Sequence, residues 1–247
     1  MKKLLVASLC LLPTVNHAIT EAEKEIFRAE NIRVLKEKGY MTPDSGVELV
    51  PRAALRATHN VAYTKPNKEG YYNESSPRAH ELLHFKEVIR GYKTLEAPMN
   101  KPYESHMRYS IDEMPMAYTL IGVPQEVITE FIGIAPSGAY LDDPIQHVKG
   151  WSGAVEFFKT SFATCAYTES NLYVSHGAAR IAEEEATNDV NGKITLIDTS
   201  GNPETGYLYR IKWFDNFFIR ELECANMTYS IQIKEKVINL ANIIDKK

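Results

Sequence analysis

Cysteine is scarce in this chain of 247 residues: there are three, Cys10, Cys165 and Cys224. So few cysteines exclude a disulfide-dense scaffold. A run of basic residues is missing as well. The net charge is −4, which argues against a nucleic-acid partner. After the first 18 residues no stretch reaches the roughly 20 apolar residues that a membrane-spanning helix needs. Internal repeats and low-complexity tracts are absent, and no complete set of catalytic residues appears in one motif.

What is present begins with an export pattern. Met1-Lys2-Lys3 gives a positive start, Leu4 to Leu12 is an apolar run, and Pro13 ends it before Val15-Asn16-His17-Ala18. This three-part arrangement reads as a secretory signal peptide over residues 1–18, cut after Ala18. Its short Lys-Lys start suits a bacterial protein. The apolar core is too short to span a bilayer, so the expected mature product is periplasmic or secreted and has no transmembrane segment. Loss of Lys2 and Lys3 with the leader takes the net charge from −4 to −6.

Cys10 leaves with the leader, and the mature chain keeps Cys165 and Cys224. An even pair in an oxidising compartment predicts a disulfide. It would close a loop of about 60 residues, which the chain-entropy model values at roughly 4 kcal/mol. The enclosed sequence is the richest strand-forming stretch of the chain. Asn191-Gly192 marks a tight turn between strands. Tyr207–Ala225 reads as a hairpin turning at Asp215-Asn216, with Phe214 opposite Phe217, Trp213 opposite Phe218, Tyr209 opposite Leu222 and Arg210 opposite Glu221. That register gives one aromatic face, interrupted only by Arg220, and puts Cys224 on it. Tyr229, Ile233, Val237, Leu240 and Ile244 then recur at helical spacing, so a final helix started by Asn226 is expected to cover this face.

The remaining elements are read from caps and punctuation. Thr20–Lys38 reads as a helix with acidic first turns. Pro77–Tyr92 reads as a second, capped by Ser75 or Ser76 with Pro77 at its first position. Tyr118–Val123 suggests a strand, Pro124–Ile132 a short helix, Ile134–Pro144 a turn-rich connection and Trp151–Ser161 a helix. Ala163–Thr168 is the first strand of the clamped sheet, and Leu172–Ser175 continues or pairs with it. Ala178–Thr187 fits either an edge strand or a helical turn. The fold class expected is therefore α+β: a disulfide-stapled antiparallel sheet flanked by helices, with a helical, loop-rich N-terminal part. The prolines between Lys93 and Pro115 suggest a division into residues 19–110 and 111–247.

One short motif has the residues for metal chemistry. His80-Glu81-Leu82-Leu83-His84 matches H-E-x-x-H, in which two imidazoles one helical turn apart can hold a zinc ion and the glutamate can act as general base. Over these five residues the chain resembles the zincin metallopeptidases. That resemblance implies a third ligand, and Glu104, twenty residues beyond His84, or alternatively His106, could supply it. The context differs from that family. Arg78 and Lys86 flank the motif with charge, Pro77 starts the helix just one turn earlier, and no Asn-Glu-x-x-Ser-Asp surrounds Glu104. The leading expectation is thus an exported, cofactor-free protein with a non-catalytic binding or structural role in the cell envelope, meeting an envelope protein or the cell wall. The alternative is a zinc-dependent metallohydrolase, such as a peptidase, with His80, His84 and Glu104 as ligands and Glu81 as base.

Overall fold

The computed structural model describes residues 46–56, 65–85, 107–143, 148–175, 177–215 and 217–246, all in the compact unit Met41–Lys247. The leader, the helix expected over 20–38, Glu104 and His106 lie outside the described residues. Among the described residues no helix is long and apolar enough to cross a membrane.

The architecture is α+β. Strand β1 is Val47–Val50, and a short helix α1 is Arg52–Arg56. Strand β2 is Tyr72–Asn73, and helix α2 is Pro77–Leu83. Two 3-10 turns, Ile111–Glu113 and Gln125–Val127, precede a long strand pair, β3 Glu130–Asp143 and β4 Val148–Lys159. Strand β5 is Thr164–Asn171, α3 is the helical turn Leu172–Ser175, β6 is Ala179–Ala182 and β7 is Thr187–Val190. Strands β8 Lys193–Asn202, β9 Gly206–Phe214 and β10 Phe218–Asn226 follow, and helix α4 Ile231–Asp245 ends the fold. Eight strands form one sheet in the order β2-β8-β9-β10-β5-β4-β3, with β7 also on β8. Every pairing in it is antiparallel except β2 on β8. A separate parallel pair joins β1 to β6.

The disulfide forms as expected. Cys165 and Cys224 face each other directly across β5 and β10, with Cα atoms 4.1 Å apart, close to the roughly 4.5 Å of a non-hydrogen-bonded antiparallel pair. Both cysteines are fully buried. They share a core with Tyr167, Tyr209, Ile211, Trp213 and Leu222, and α4 covers it with Val237, Leu240, Ala241 and Ile244. Helix α4 begins at the cap Ser230, whose Oγ accepts from Gln232 N, four residues later than the Asn226 start expected. Asn226 instead ends β10 and donates its side-chain amide to Phe162 O at 2.7 Å.

The hairpin forms in a register two residues away from the expected one. Trp213 pairs with Arg220, Arg210 with Glu223 and Tyr209 with Cys224. The cause lies in the turn. Asp215 Oδ1 accepts from both Phe217 N and Phe218 N, and Asp215 N donates to Phe218 O, so the loop takes in Phe217. A shift of two leaves every side chain on its face, because strand side chains alternate with period two. The aromatic face survives, and the Arg210–Glu221 ion pair persists at 3.3 Å as a diagonal contact.

Other elements differ from expectation for identifiable reasons. Trp151–Ser161 is mostly strand β4, not a helix. Most of its residues are buried whichever face they occupy, so the polar alternation that marks a half-buried strand is missing. Ile134–Pro144 is mostly β3 instead of a connection. The strand accommodates Pro136 and its glycines at a sheet edge, with register shifts between Phe131 and Gly133 and between Ser137 and Tyr140. The helix expected over Pro124–Ile132 shrinks to the 3-10 turn, and Thr129 N already pairs with Lys159 O. Tyr118–Val123 is irregular, and Leu172–Ser175 is helical. Of the open stretch 178–187, Ala179–Ala182 is strand β6. Helix α2 covers Pro77–Leu83 of the helix expected over Pro77–Tyr92, and residues 86–92 lie outside the described residues.

Candidate functional site

Helix α2 begins where Ser76 Oγ accepts from Ala79 N and Pro77 occupies the first turn. Ala79 and Leu82 are completely buried against Phe157, Ala166, Leu208 and Ala225 on the sheet face away from α4. That seating leaves His80 and Glu81 exposed and His84 half-buried. The two imidazole rings lie face to face, centroids 4.3 Å apart and 29° between planes. His84 is the C-cap: its backbone N–H reaches His80 O at 3.1 Å, and its ring Nδ1 lies 3.0 Å from the same oxygen. Glu81 pairs with Arg78 at 3.3 Å, and the Arg78 guanidinium also meets Glu223 on β10 at 2.9 Å. The fold therefore brings His80 and His84 together and turns Glu81 toward a cation. Among the described residues no three His, Cys, Asp or Glu side chains are grouped to hold a metal ion.

A second constellation lies under α4 and centres on Arg220. Arg220, 3% exposed, sits 2.7 Å from Asp215, 3.5 Å from Glu169 and 3.6 Å from Asp245. Asp245, near the end of α4, also accepts the Trp213 indole N–H at 2.9 Å and meets Lys193 at 2.6 Å. Glu169 accepts from the Tyr167 hydroxyl at 2.7 Å and from Ile121 N at 3.1 Å. Glu156 accepts from Val123 N at 3.2 Å. Two buried carboxylates thus catch backbone N–H groups of the irregular segment 118–123 and strap it over the sheet. Gly122 permits the approach: its φ is +67°, and a Cβ there would stand 2.9 Å from Glu156 Oε1.

The electrostatics make this network a set of fixed partners. Burial, followed by the charge of Glu169, pushes the phenols of Tyr118 and Tyr167 well above the usual tyrosine range, so both remain neutral donors. Burial disfavours the Arg220 charge, but the hydrogen bond to Asp215 and the surrounding negative charge hold its pKa above the ordinary value. Burial likewise opposes the Asp215 carboxylate. Its bonds from Arg220, Phe217 N and Phe218 N outweigh that and lower its pKa. The sequence signal for all this was faint. Arg220 stands out as a lone charge on an aromatic face, whereas Glu156 falls unmarked inside the Trp151–Ser161 stretch read as a helix.

A shallow groove of about 350 Å³ runs beside α4, between Glu126 and Val127 on one wall and Phe162, Lys236, Leu240 and Ile243 on the others. Its volume is at the small end of ligand pockets. Exposed aromatics stand elsewhere, with Tyr173 of α3 and Phe217 of the β9–β10 turn in edge contact at 6.4 Å. No family model matches the chain, and no curated protein or solved structure matches it either.

Proposed function

We propose that this chain is an exported component of the bacterial cell envelope, periplasmic or secreted, with a non-catalytic binding or structural role toward an envelope protein or the cell wall. The observation that carries the reading is the Cys165–Cys224 bond between two fully buried cysteines on paired strands. Such a bond persists in oxidising compartments and is rare where thiols are kept reduced. The leader pattern over residues 1–18 gives the matching route of export. The use of buried polar groups supports a non-catalytic role. Glu156, Glu169 and Asp245 are each committed to backbone N–H groups or to donors on neighbouring elements.

Fractionation of cells expressing the full chain with a C-terminal tag tests the proposal. The expected product is found in the periplasm or medium, begins at Ile19 and takes up no thiol label unless it is unfolded and reduced. A full-length cytoplasmic product with Cys165 and Cys224 both free would overturn it.

A further inference from the structure

An envelope role leaves the exposed His80 and the half-buried His84 of α2 and its C-cap without a use, and their local geometry is specific. We propose that His80 and His84 form a two-imidazole site for a borderline divalent transition cation, with Cu²⁺ bound most tightly and Zn²⁺ and Ni²⁺ more weakly. Water, or a donor from whatever the protein contacts, would complete the coordination. This inference is independent of the export reading.

Three features carry the site. The backbone under it is set in advance, because α2 is capped by Ser76 and anchored by the buried Ala79 and Leu82. The spacing of four residues then places both rings on one side, where they already touch at 4.3 Å. The His84 ring is also oriented. A carbonyl oxygen can only accept, so the 3.0 Å contact with His80 O places the proton on Nδ1 and leaves the Nε2 lone pair free. A ligating histidine is typically held in this way, by a hydrogen bond from its other nitrogen. His80 is exposed, and turning its ring lets its nitrogen approach the same ion to the roughly 2 Å of a metal–imidazole bond.

The position of Glu81 makes this a binding site instead of a hydrolytic one. Its carboxylate faces Arg78, and Arg78 is held in turn by Glu223, so the residue that would activate a metal-bound water is paired with a cation. Two imidazoles, with no carboxylate grouped beside them among the described residues, favour borderline cations over the oxygen-seeking Mg²⁺ and Ca²⁺, and the first-row order places Cu²⁺ at the top.

Calorimetric titration of the tag-free, disulfide-bonded protein with Cu²⁺, Zn²⁺, Ni²⁺ and Mg²⁺ tests the site. One Cu²⁺ per chain is expected, weaker binding of Zn²⁺ and Ni²⁺, and none of Mg²⁺. His80→Ala and His84→Ala should each lower Cu²⁺ affinity at least about tenfold, because the second imidazole acts at the high effective concentration of a chelate. His84→Gln repeats the test with a side chain of similar size, and unchanged melting temperatures show that the variants fold. Glu81→Gln and Glu104→Ala should leave affinity within about twofold, well below one decade of binding energy. Stoichiometric Cu²⁺ binding that survives in the double histidine variant overturns the proposal. A loss in Glu104→Ala equal to that in His84→Ala overturns it in favour of a three-ligand centre, and a comparable loss in Glu81→Gln overturns the exclusion of Glu81 from the ion.

Discussion

The same strands of the large sheet make two unlike faces. On the face beneath α4, β9 and β10 contribute Tyr209, Ile211, Trp213, Leu222 and Cys224 to a dry core, and the charged groups there converge on buried Arg220. On the other face the alternate residues of those strands form a ladder of half-exposed charge. Arg210 meets Asp198, Glu221 and Glu223, and Lys212 meets Glu221. Helix α2 covers one end of this second face, with Ala79 and Leu82 on Leu208 and Ala225. The difference teaches how environment sets the value of a charge. A buried ion pair is costly to break because the remaining partner is left unsolvated, whereas water substitutes for a partner lost from the open ladder.

Substitutions that read the two faces against each other should separate them. The largest effect is expected from Arg220→Ala, which leaves buried Glu169 without its cation and Asp215 with Lys193 alone: about 3–5 kcal/mol lost in urea unfolding. A loss below about 1 kcal/mol would put Arg220 on a par with the ladder. Replacing both cysteines by alanine comes next, at about 2–4 kcal/mol by the same measurement, since the bond closes a long loop of the unfolded chain.

The two aspartates should respond oppositely to pH. Asp215 has its pKa depressed below the ordinary 3.8, because the bonds from Arg220 and two backbone N–H groups outweigh burial. Its contribution is therefore present above pH 3.8 and lost as pH falls through the folded value. Asp198 has its pKa raised above 3.8, mainly by burial, against the attraction of Arg210. Its charge thus costs stability at neutral pH, and the cost disappears as pH falls through that raised value. Comparing Asp215→Asn and Asp198→Asn from pH 7 to pH 3 should show the first destabilised at pH 7 and the second unchanged or stabilised, with both differences shrinking in acid. Equal signs at pH 7 would remove the contrast between the faces. The smallest effect is expected for Lys212→Ala on the ladder, below about 1 kcal/mol in the same unfolding assay.

The disulfide, the hairpin faces and the closing helix were legible in the sequence because each carries a local signal: paired cysteines, period-two aromatics around Asp215-Asn216, and a helical stripe from Tyr229 to Ile244. Strands β3 and β4 were not legible, since Pro136 and Gly138 look like turn residues and β4 is buried on both sides. The i,i+4 relation of His80 and His84 was readable from spacing alone. The engagement of Glu81 by Arg78, itself held by Glu223 from a strand far along the chain, was not.

By itself, then, the sequence determined which residues share a face, because alternation along a strand and the helical repeat are properties of the backbone and need no partner. Register, and the fate of the buried charges, were decided only in the tertiary structure. Asp215 draws Phe217 into the turn and moves the hairpin by two residues. Glu156 and Glu169 find the backbone of 118–123 across more than thirty positions of chain. These outcomes depend on which hydrogen-bond donors folding brings within reach once water is excluded, and no local pattern encodes that.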